Sequence, residues 1–99
     1  METIKKTAAQ ELKETVPYML SEDYKERFIA EYRQTKIRYE RLKSFNTRIQ
    51  AAEMTGFREN AVEMPQHDCP LDLLREQQSA MGEYLHLLEL RAVIEGITL

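Results

Sequence analysis

The spacing of apolar residues predicts two long helices joined by one loop. In the first helix, over about residues 21–54, Ser21 is the expected N-cap and apolar or aromatic side chains recur every three or four residues. That seam comprises Tyr24, Phe28, Tyr32, Thr35, Tyr39, Leu42 and Ile49. A loop is predicted over 55–69, where Gly56 ends the helix. The second helix is predicted over about 70–95, with Pro70 in its first turn and Gly96 at its end.

The second long helix has two apolar stripes. One consists of Leu71, Leu74, Gln78, Met81, Leu85, Leu88 and Ala92, and the other of Leu73, Ala80, Tyr84, Leu87 and Ile94. Because a helix with two apolar stripes is buried on two sides, one neighbouring helix leaves the second stripe uncovered. We therefore predict an antiparallel hairpin that assembles into a symmetric oligomer. The alternative is a three-helix monomer in which the N-terminal segment covers the second stripe.

We predict that residues 1–20 form a short amphipathic helix or arm that packs across the hairpin of residues 21–99. Ile4, Ala8, Leu12 and Val16 are spaced four residues apart, which places them near one side of a helix. Pro17 predicts a bend at the end of this helix, near Val16. The predicted fold class is all-α.

Composition narrows the class of protein further. The chain has 99 residues, enough for one small domain, and only three prolines, three glycines and one cysteine. Its longest apolar runs fall far short of the roughly 20 residues that span a bilayer, and charged residues interrupt the N-terminal stretch where a signal peptide needs an apolar core. We expect a soluble protein of the cytoplasm without a membrane partner.

Charge is segregated along the chain. Residues 33–50 contain six basic side chains and one acidic one, whereas residues 51–99 contain nine acidic and three basic ones. Arg27, Gln34, Arg41 and Arg48 recur every seven residues, with Arg38 close by, which predicts one basic helix face. Two explanations are open at this point: pairing with the acidic helix, or a surface for phosphate. The net charge of −3 argues against general or sequence-specific binding of duplex DNA.

Catalytic and metal-binding patterns are weak. His67-Asp68-Cys69 is the one cluster that resembles a metal or nucleophile site, but the chain lacks the four spaced ligands of a zinc site. Helix capping is the simpler role for Asp68 and Cys69. We expect a protein that is not an enzyme, with no catalytic residues, metal or cofactor. Of the tyrosines, Tyr18 at the predicted bend is the freest to contact a ligand.

Two blocks of the chain resemble a family of short phage and prophage proteins named for their relation to a crAss-like phage gene product. The first block comprises Ser21–Phe28, Glu31-Tyr32 and Lys36–Glu40. The second comprises Cys69-Pro70, Leu73-Leu74, Gln77, Met81-Gly82, Tyr84-Leu85, Leu88-Glu89, Arg91-Ala92 and Glu95–Ile97. The resemblance covers about three quarters of the chain, and the loop at 55–68 is longer than the family pattern implies.

The hairpin pattern of that family is in turn similar to phage anti-CBASS and anti-Thoeris sponge proteins. This similarity implies a small helical oligomer that sequesters a cyclic oligonucleotide or related signalling nucleotide without cleaving it, inside an infected or lysogenic bacterium. On that hypothesis the expected ligand-binding residues are Arg27, Arg38, Arg41, Arg48, Tyr18 and Arg91. The alternative function is a protein-binding inhibitor that docks its acidic surface or apolar stripe on a host defence protein, as an anti-CRISPR protein does.

Overall fold

A computed structural model describes residues 6–99, and within this range the fold consists of three helices without strands. They are α1 (Ala8–Met19), α2 (Tyr24–Thr55) and α3 (Leu71–Glu95). The predicted all-α class is confirmed. Of the residues predicted to form the N-terminal stripe, Ile4 lies outside the described residues.

The first helix begins at a capping box. Thr7 accepts a hydrogen bond from the Gln10 backbone, and the Gln10 side chain accepts one from the Thr7 backbone. The predicted end near Val16 is wrong, because α1 continues through Pro17 to Met19. Proline removes one backbone donor, and in the last turn of a helix that loss is small enough for the helix to persist.

The buried face of α1 also differs from the predicted stripe. Thr15 is buried, whereas Val16 is 37% exposed. A step of four residues overshoots the 3.6-residue turn, so the predicted stripe drifts around the helix, and Thr15 takes the inward position after Leu12. The Thr15 hydroxyl donates to the Leu12 carbonyl over 2.6 Å and accepts from Gln34 Nε2 over 2.8 Å, so its burial on α2 leaves no unpaired polar group.

The boundaries of the two long helices depend on local hydrogen bonds. The predicted N-cap Ser21 is wrong: Asp23 caps α2 by accepting from the Lys25 N–H over 2.9 Å, while Ser21 Oγ accepts from the Asp23 N–H. The predicted capping of α3 by Asp68 and Cys69 is also wrong. Pro70 occupies the N-cap position with an extended backbone (ψ 146°), and it makes no capping hydrogen bond because its side chain has no acceptor.

Helices α2 and α3 form an antiparallel hairpin around a small core. That core consists of Phe28, Tyr32, Leu85, Leu88, Ala92 and Ile97. Gly96 adopts the left-handed conformation (φ 70°) and turns Ile97 back, so that the Ile97 N–H donates to the Ala92 carbonyl over 2.8 Å. The predicted apolar tail therefore contributes Ile97 to the core.

Helix α2 is the centre of the molecule, since α1 and α3 both pack on it and make no helix-to-helix contact with each other among residues 6–99. The alternative in which the N-terminal helix covers the second stripe of α3 is therefore not what the structure shows. Leu73 and Leu87 on that stripe are each 52% exposed, and Ile94 is 82% exposed.

Large apolar exposure accompanies an elongated shape. The radius of gyration is 17.0 Å, against about 13 Å for a compact domain of this length. The accessible surface is 7846 Å², against about 5900 Å² for a typical monomer of this mass. One chain thus leaves unusually much of its surface unburied.

The connection between α2 and α3 folds back on α2. Thr55 Oγ1 accepts from the Val62 N–H over 2.9 Å, and the rings of Phe45 and His67 meet edge to face with centroids 6.3 Å apart. Phe57 nevertheless projects fully into solvent.

Candidate ligand-binding site

A groove of about 850 Å³ lies between α1 and α2. It is lined by Glu11, Glu14, Thr15, Arg33, Lys36, Ile37, Glu40, Arg41 and Ser44. The antiparallel packing of α1 on α2 builds it: α2 contributes three cationic side chains and the Glu40 carboxylate, and α1 contributes the carboxylates of Glu11 and Glu14. The volume is within the usual range for small-molecule sites.

Aromatic rings hold two of these cations in place. The Arg33 guanidinium carbon lies 5.2 Å from the centroid of the Tyr18 ring on α1, and Lys36 Nζ lies 5.8 Å from that of Tyr32. Tyr32 itself is anchored, since its hydroxyl donates to Glu89 on α3 over 2.6 Å. Burial, then this hydrogen bond, raises the pKa of Tyr32 to about 12. The groove is therefore connected to the hairpin core through Tyr32.

The basic segment is not neutralised by the acidic helix. Among residues 6–99, the salt bridges are Lys6–Glu14, His86–Glu89 and Arg91–Glu95, all within a single helix or just before it. None involves the six cations of residues 33–50. The explanation by pairing across the hairpin therefore finds no support among these residues, and the cations remain available to an anion.

A second groove, of about 510 Å³, brings together Arg27 and Arg38 from the predicted set. It lies at the C-terminal end of α1, where Met19, Gln34 and Thr35 contribute to its walls. Arg27 Nη1 donates to the Ser21 carbonyl over 2.8 Å, which ties this side chain to the bend between α1 and α2. Part of the donor capacity of Arg27 is thus already used.

Two predicted residues lie apart from both grooves. Arg48 lies over the Phe45 ring, 5.6 Å from its centroid. Arg91 on α3 lies over Phe28 at 5.0 Å, donates to the Tyr24 hydroxyl and pairs with Glu95 at 3.1 Å. Arg91 therefore makes its contacts with residues of the hairpin and lines neither groove.

The predicted basic face is too long for one small ligand. Arg27 and Arg48 are 21 positions apart on α2, which corresponds to about 31 Å along a helix. In one protomer the structure thus groups Arg41 with Arg33 and Lys36, close to Tyr18, and groups Arg27 with Arg38. The sequence prediction missed Arg33 and Lys36 as groove residues, although the count of basic side chains in residues 33–50 included both.

A third groove lies on the other side of α2, against α3, and has a volume of about 500 Å³. Its walls are Tyr39, Asn46, Thr47, Gln50, Arg75, Gln78, Ser79 and Gly82. Asn46, only 4% exposed, was not singled out from the sequence. A signal was present, because Asn46 is a polar residue between Leu42 and Ile49 in an otherwise apolar seam.

The described residues contain neither a candidate metal site nor a membrane-spanning helix. In residues 6–99 no group of three or more His, Cys, Asp or Glu side chains is placed to hold a metal ion. His67 Nδ1 instead lies 2.7 Å from the Cys69 carbonyl oxygen. No helix in the same range is long and apolar enough to cross a membrane.

The family model of Sequestin matches residues 22–94, which is most of the chain and includes all of α2 and most of α3. The chain therefore belongs to the Sequestin family. No curated protein and no solved structure matches it significantly. The family name denotes sequestration, and the matched segment contains the cationic wall of the groove but not α1.

Proposed function

We propose that this protein is a phage-encoded, non-enzymatic counter-defence protein that sequesters a cyclic oligonucleotide immune signal. Membership of the Sequestin family supports sequestration as the mode of action. The main support for a nucleotide ligand comes from the groove between α1 and α2. There, Arg33, Lys36 and Arg41 have no acidic partner within salt-bridge distance among residues 6–99.

Arginine suits this task because its planar guanidinium donates two parallel hydrogen bonds to phosphate oxygens. Arg33 and Arg41 bind the phosphates in this proposal, and Lys36 adds a third positive charge. Arg27 and Arg38 offer a second cationic pair at the far end of α1. Tyr18 provides an aromatic face beside Arg33 on which a base can stack.

Helix α1 acts as a lid in this proposal. It contacts α2 alone, and it brings Glu11 and Glu14 to the wall opposite the cations. Movement of α1 away from α2 removes these two carboxylates and exposes the cationic wall to an anion. The family match begins at residue 22, so the matched segment contains the cations of the groove, whereas α1, which covers the groove in this proposal, lies outside the match.

The exposed stripe of α3 supports assembly into a symmetric oligomer. Leu73, Leu87 and Ile94 are between 52% and 82% exposed. An exposed apolar stripe on a helix is typical of an interface, and a second copy of the chain offers the same stripe in return. We propose that α3 packs on α3 of another protomer through this stripe.

The test is depletion of ligand from solution followed by recovery. Purified protein is incubated with a panel of cyclic di- and trinucleotides, the unbound fraction is measured after ultrafiltration, and the protein is then heat-denatured. We expect stoichiometric depletion of at least one compound and its release intact. Failure to deplete any compound, without any gain in thermal stability, contradicts the proposal, and release of a cleaved product contradicts the non-enzymatic mechanism.

A protein-binding inhibitor is the second candidate, and the exposed apolar surface favours it. Phe57, Met54 and Met64 near the loop are exposed in addition to the stripe of α3. If the purified chain is a monomer that binds no nucleotide, these surfaces instead serve to dock on a host defence protein.

A further inference from the structure

The groove between α2 and α3 contains a buried polar group without a partner. Asn46 is 4% exposed, and its Nδ2 donates to the Leu74 carbonyl over 3.1 Å and to Gln78 Oε1 over 2.9 Å. Its Oδ1 has no hydrogen-bond partner among residues 6–99. Since a buried acceptor without a donor destabilises the folded state, such a group calls for an explanation.

The hydrogen bonds already present determine what Asn46 and Gln78 can still offer. Both Asn46 Nδ2 hydrogens are used, so Asn46 retains only an acceptor. Gln78 Oε1 accepts from Asn46, and Gln78 Nε2 has no partner among the described residues, so Gln78 retains a donor. The pair therefore presents one acceptor beside one donor.

That pattern is complementary to the edge of a nucleobase. The Watson–Crick edge of each base has a donor next to an acceptor, such as the exocyclic amine and N1 of adenine. A phosphate, with acceptors only, would leave Asn46 Oδ1 unpaired. The unsatisfied oxygen thus favours a base over an anion at this position.

The remaining walls of the groove suit a nucleotide. Tyr39 provides an aromatic wall, and Gly82 makes room for it: a Cβ on Gly82 would lie 3.2 Å from Tyr39 Cε1. Arg75 lines the same groove from α3 and forms no salt bridge among residues 6–99. The aromatic face of Tyr39 suits stacking with a base, and the acceptor–donor pair suits the edge of that base. The guanidinium of Arg75 suits a phosphate.

We propose that the groove around Asn46, Gln78, Tyr39 and Arg75 is a nucleobase-binding site, at which Asn46 Oδ1 accepts a hydrogen bond from the base and Gln78 Nε2 donates one. Because Asn46 is buried, binding requires that the exposed side chains at the rim, such as Gln50, move aside. This inference rests on the proposed function for the cyclic nature of the ligand, but the recognition of a base does not depend on it.

The test uses the side-chain amide resonances of Asn46 and Gln78 in the ¹H–¹⁵N NMR spectrum of the full chain. One arm adds the cyclic nucleotides, and the other adds 5′-AMP at millimolar concentration. We expect both amide groups to shift in both arms, and Asn46→Leu and Gln78→Leu to weaken binding of 5′-AMP by about 10- to 100-fold. The matched control is Gln77→Leu, which alters the exposed neighbour of Gln78 and leaves affinity unchanged.

The two arms separate the two proposals. Binding of a cyclic nucleotide while the Asn46 and Gln78 resonances stay unmoved in both arms, or unchanged affinity for 5′-AMP in Asn46→Leu, overturns the base site and leaves sequestration standing. A response to 5′-AMP without binding of any cyclic compound retains the base site and overturns sequestration. Absence of binding of any compound in either arm overturns both. Asn46→Leu removes the unpaired oxygen but also both Nδ2 hydrogen bonds. The melting temperature of each variant is therefore measured beside its affinity, and a loss of affinity in Gln78→Leu, with cooperative melting retained, separates a loss of binding from a loss of fold.

Discussion

The Arg33 guanidinium lies over the Tyr18 ring, with 5.2 Å between its central carbon and the ring centroid. This contact joins α1 to the cations of α2 at one side of the groove between the two helices. It places the helix that covers the groove and a cation that lines the groove in direct contact. Ligand binding and the position of α1 are therefore coupled in our account.

Removal of the groove cations is predicted to weaken binding of a cyclic nucleotide. Because a charge-assisted hydrogen bond contributes about 1.5–3 kcal/mol, Arg33→Ala and Arg41→Ala should each reduce affinity by roughly 10- to 150-fold in isothermal titration calorimetry. Arg58→Ala on the exposed loop removes the same charge elsewhere and serves as control. Equal affinities in all three variants would place the ligand outside this groove.

The ionisation of Tyr32 is predicted to reduce stability at high pH. Its pKa in the folded chain is about 12, against an ordinary value of 10, so the unfolded chain loses this proton first as the pH rises. The contribution of Tyr32 is complete below pH 10 and is lost between pH 10 and about 12. Denaturant unfolding at several pH values, together with absorbance titration of tyrosinate, measures this loss.

Two variants identify the origin of that effect. Tyr32→Phe should abolish the titration step near pH 12 and lower the free energy of unfolding at neutral pH by about 1 kcal/mol, since the hydrogen bond to Glu89 is lost. Tyr18→Phe is the control and should retain the titration step near pH 12. Persistence of the late-titrating tyrosine in Tyr32→Phe would assign it to another residue.

Gly82 and Tyr39 are predicted to be energetically coupled. Alanine normally stabilises a helix interior by about 1 kcal/mol relative to glycine, but here its Cβ would lie 3.2 Å from Tyr39 Cε1. Gly82→Ala should therefore stabilise the chain by less than this amount, or destabilise it, whereas in a Tyr39→Leu background it should give the full gain. A double-mutant cycle by chemical denaturation measures the difference, and additive effects would show that the contact has no energetic consequence.

The stripe of α3 is predicted to form the interface between protomers. Leu87→Asp introduces a charge at its middle and should convert the oligomer to monomer in size-exclusion chromatography with light scattering. Val62→Asp, on the loop and 41% exposed, is the control and should leave the mass unchanged. An unaltered mass in Leu87→Asp would place the interface on another surface.

The sequence predicted the helices well, because helix periodicity depends on local spacing. Hydrophobic spacing alone yielded α2 and α3 and the exposure of Leu87 and Ile94. It failed at details that depend on single hydrogen bonds. Asp23 caps α2 in place of Ser21, and the buried face of α1 contains Thr15 because Gln34 pairs with its hydroxyl.

The candidate site was harder to predict, because it depends on which sides of α2 the other helices occupy. Seven-residue spacing predicted a shared basic face, but the packing of α1 on α2 places Arg41 in one groove and Arg27 in another. Arg91 and Arg48 matched the residue type expected for phosphate but lie against Phe28 and Phe45. The role of Asn46 could not be predicted, because the spacing of residues does not show which buried side-chain atom lacks a hydrogen-bond partner.

Native mass spectrometry of the purified protein, with and without cyclic di- and trinucleotides, tests the central claim most directly. Our account predicts a symmetric oligomer that gains a whole number of intact ligand masses and loses this gain in Arg33→Ala. A monomer whose mass ignores every compound of the panel would contradict both the assembly through α3 and the sequestration of a cyclic nucleotide.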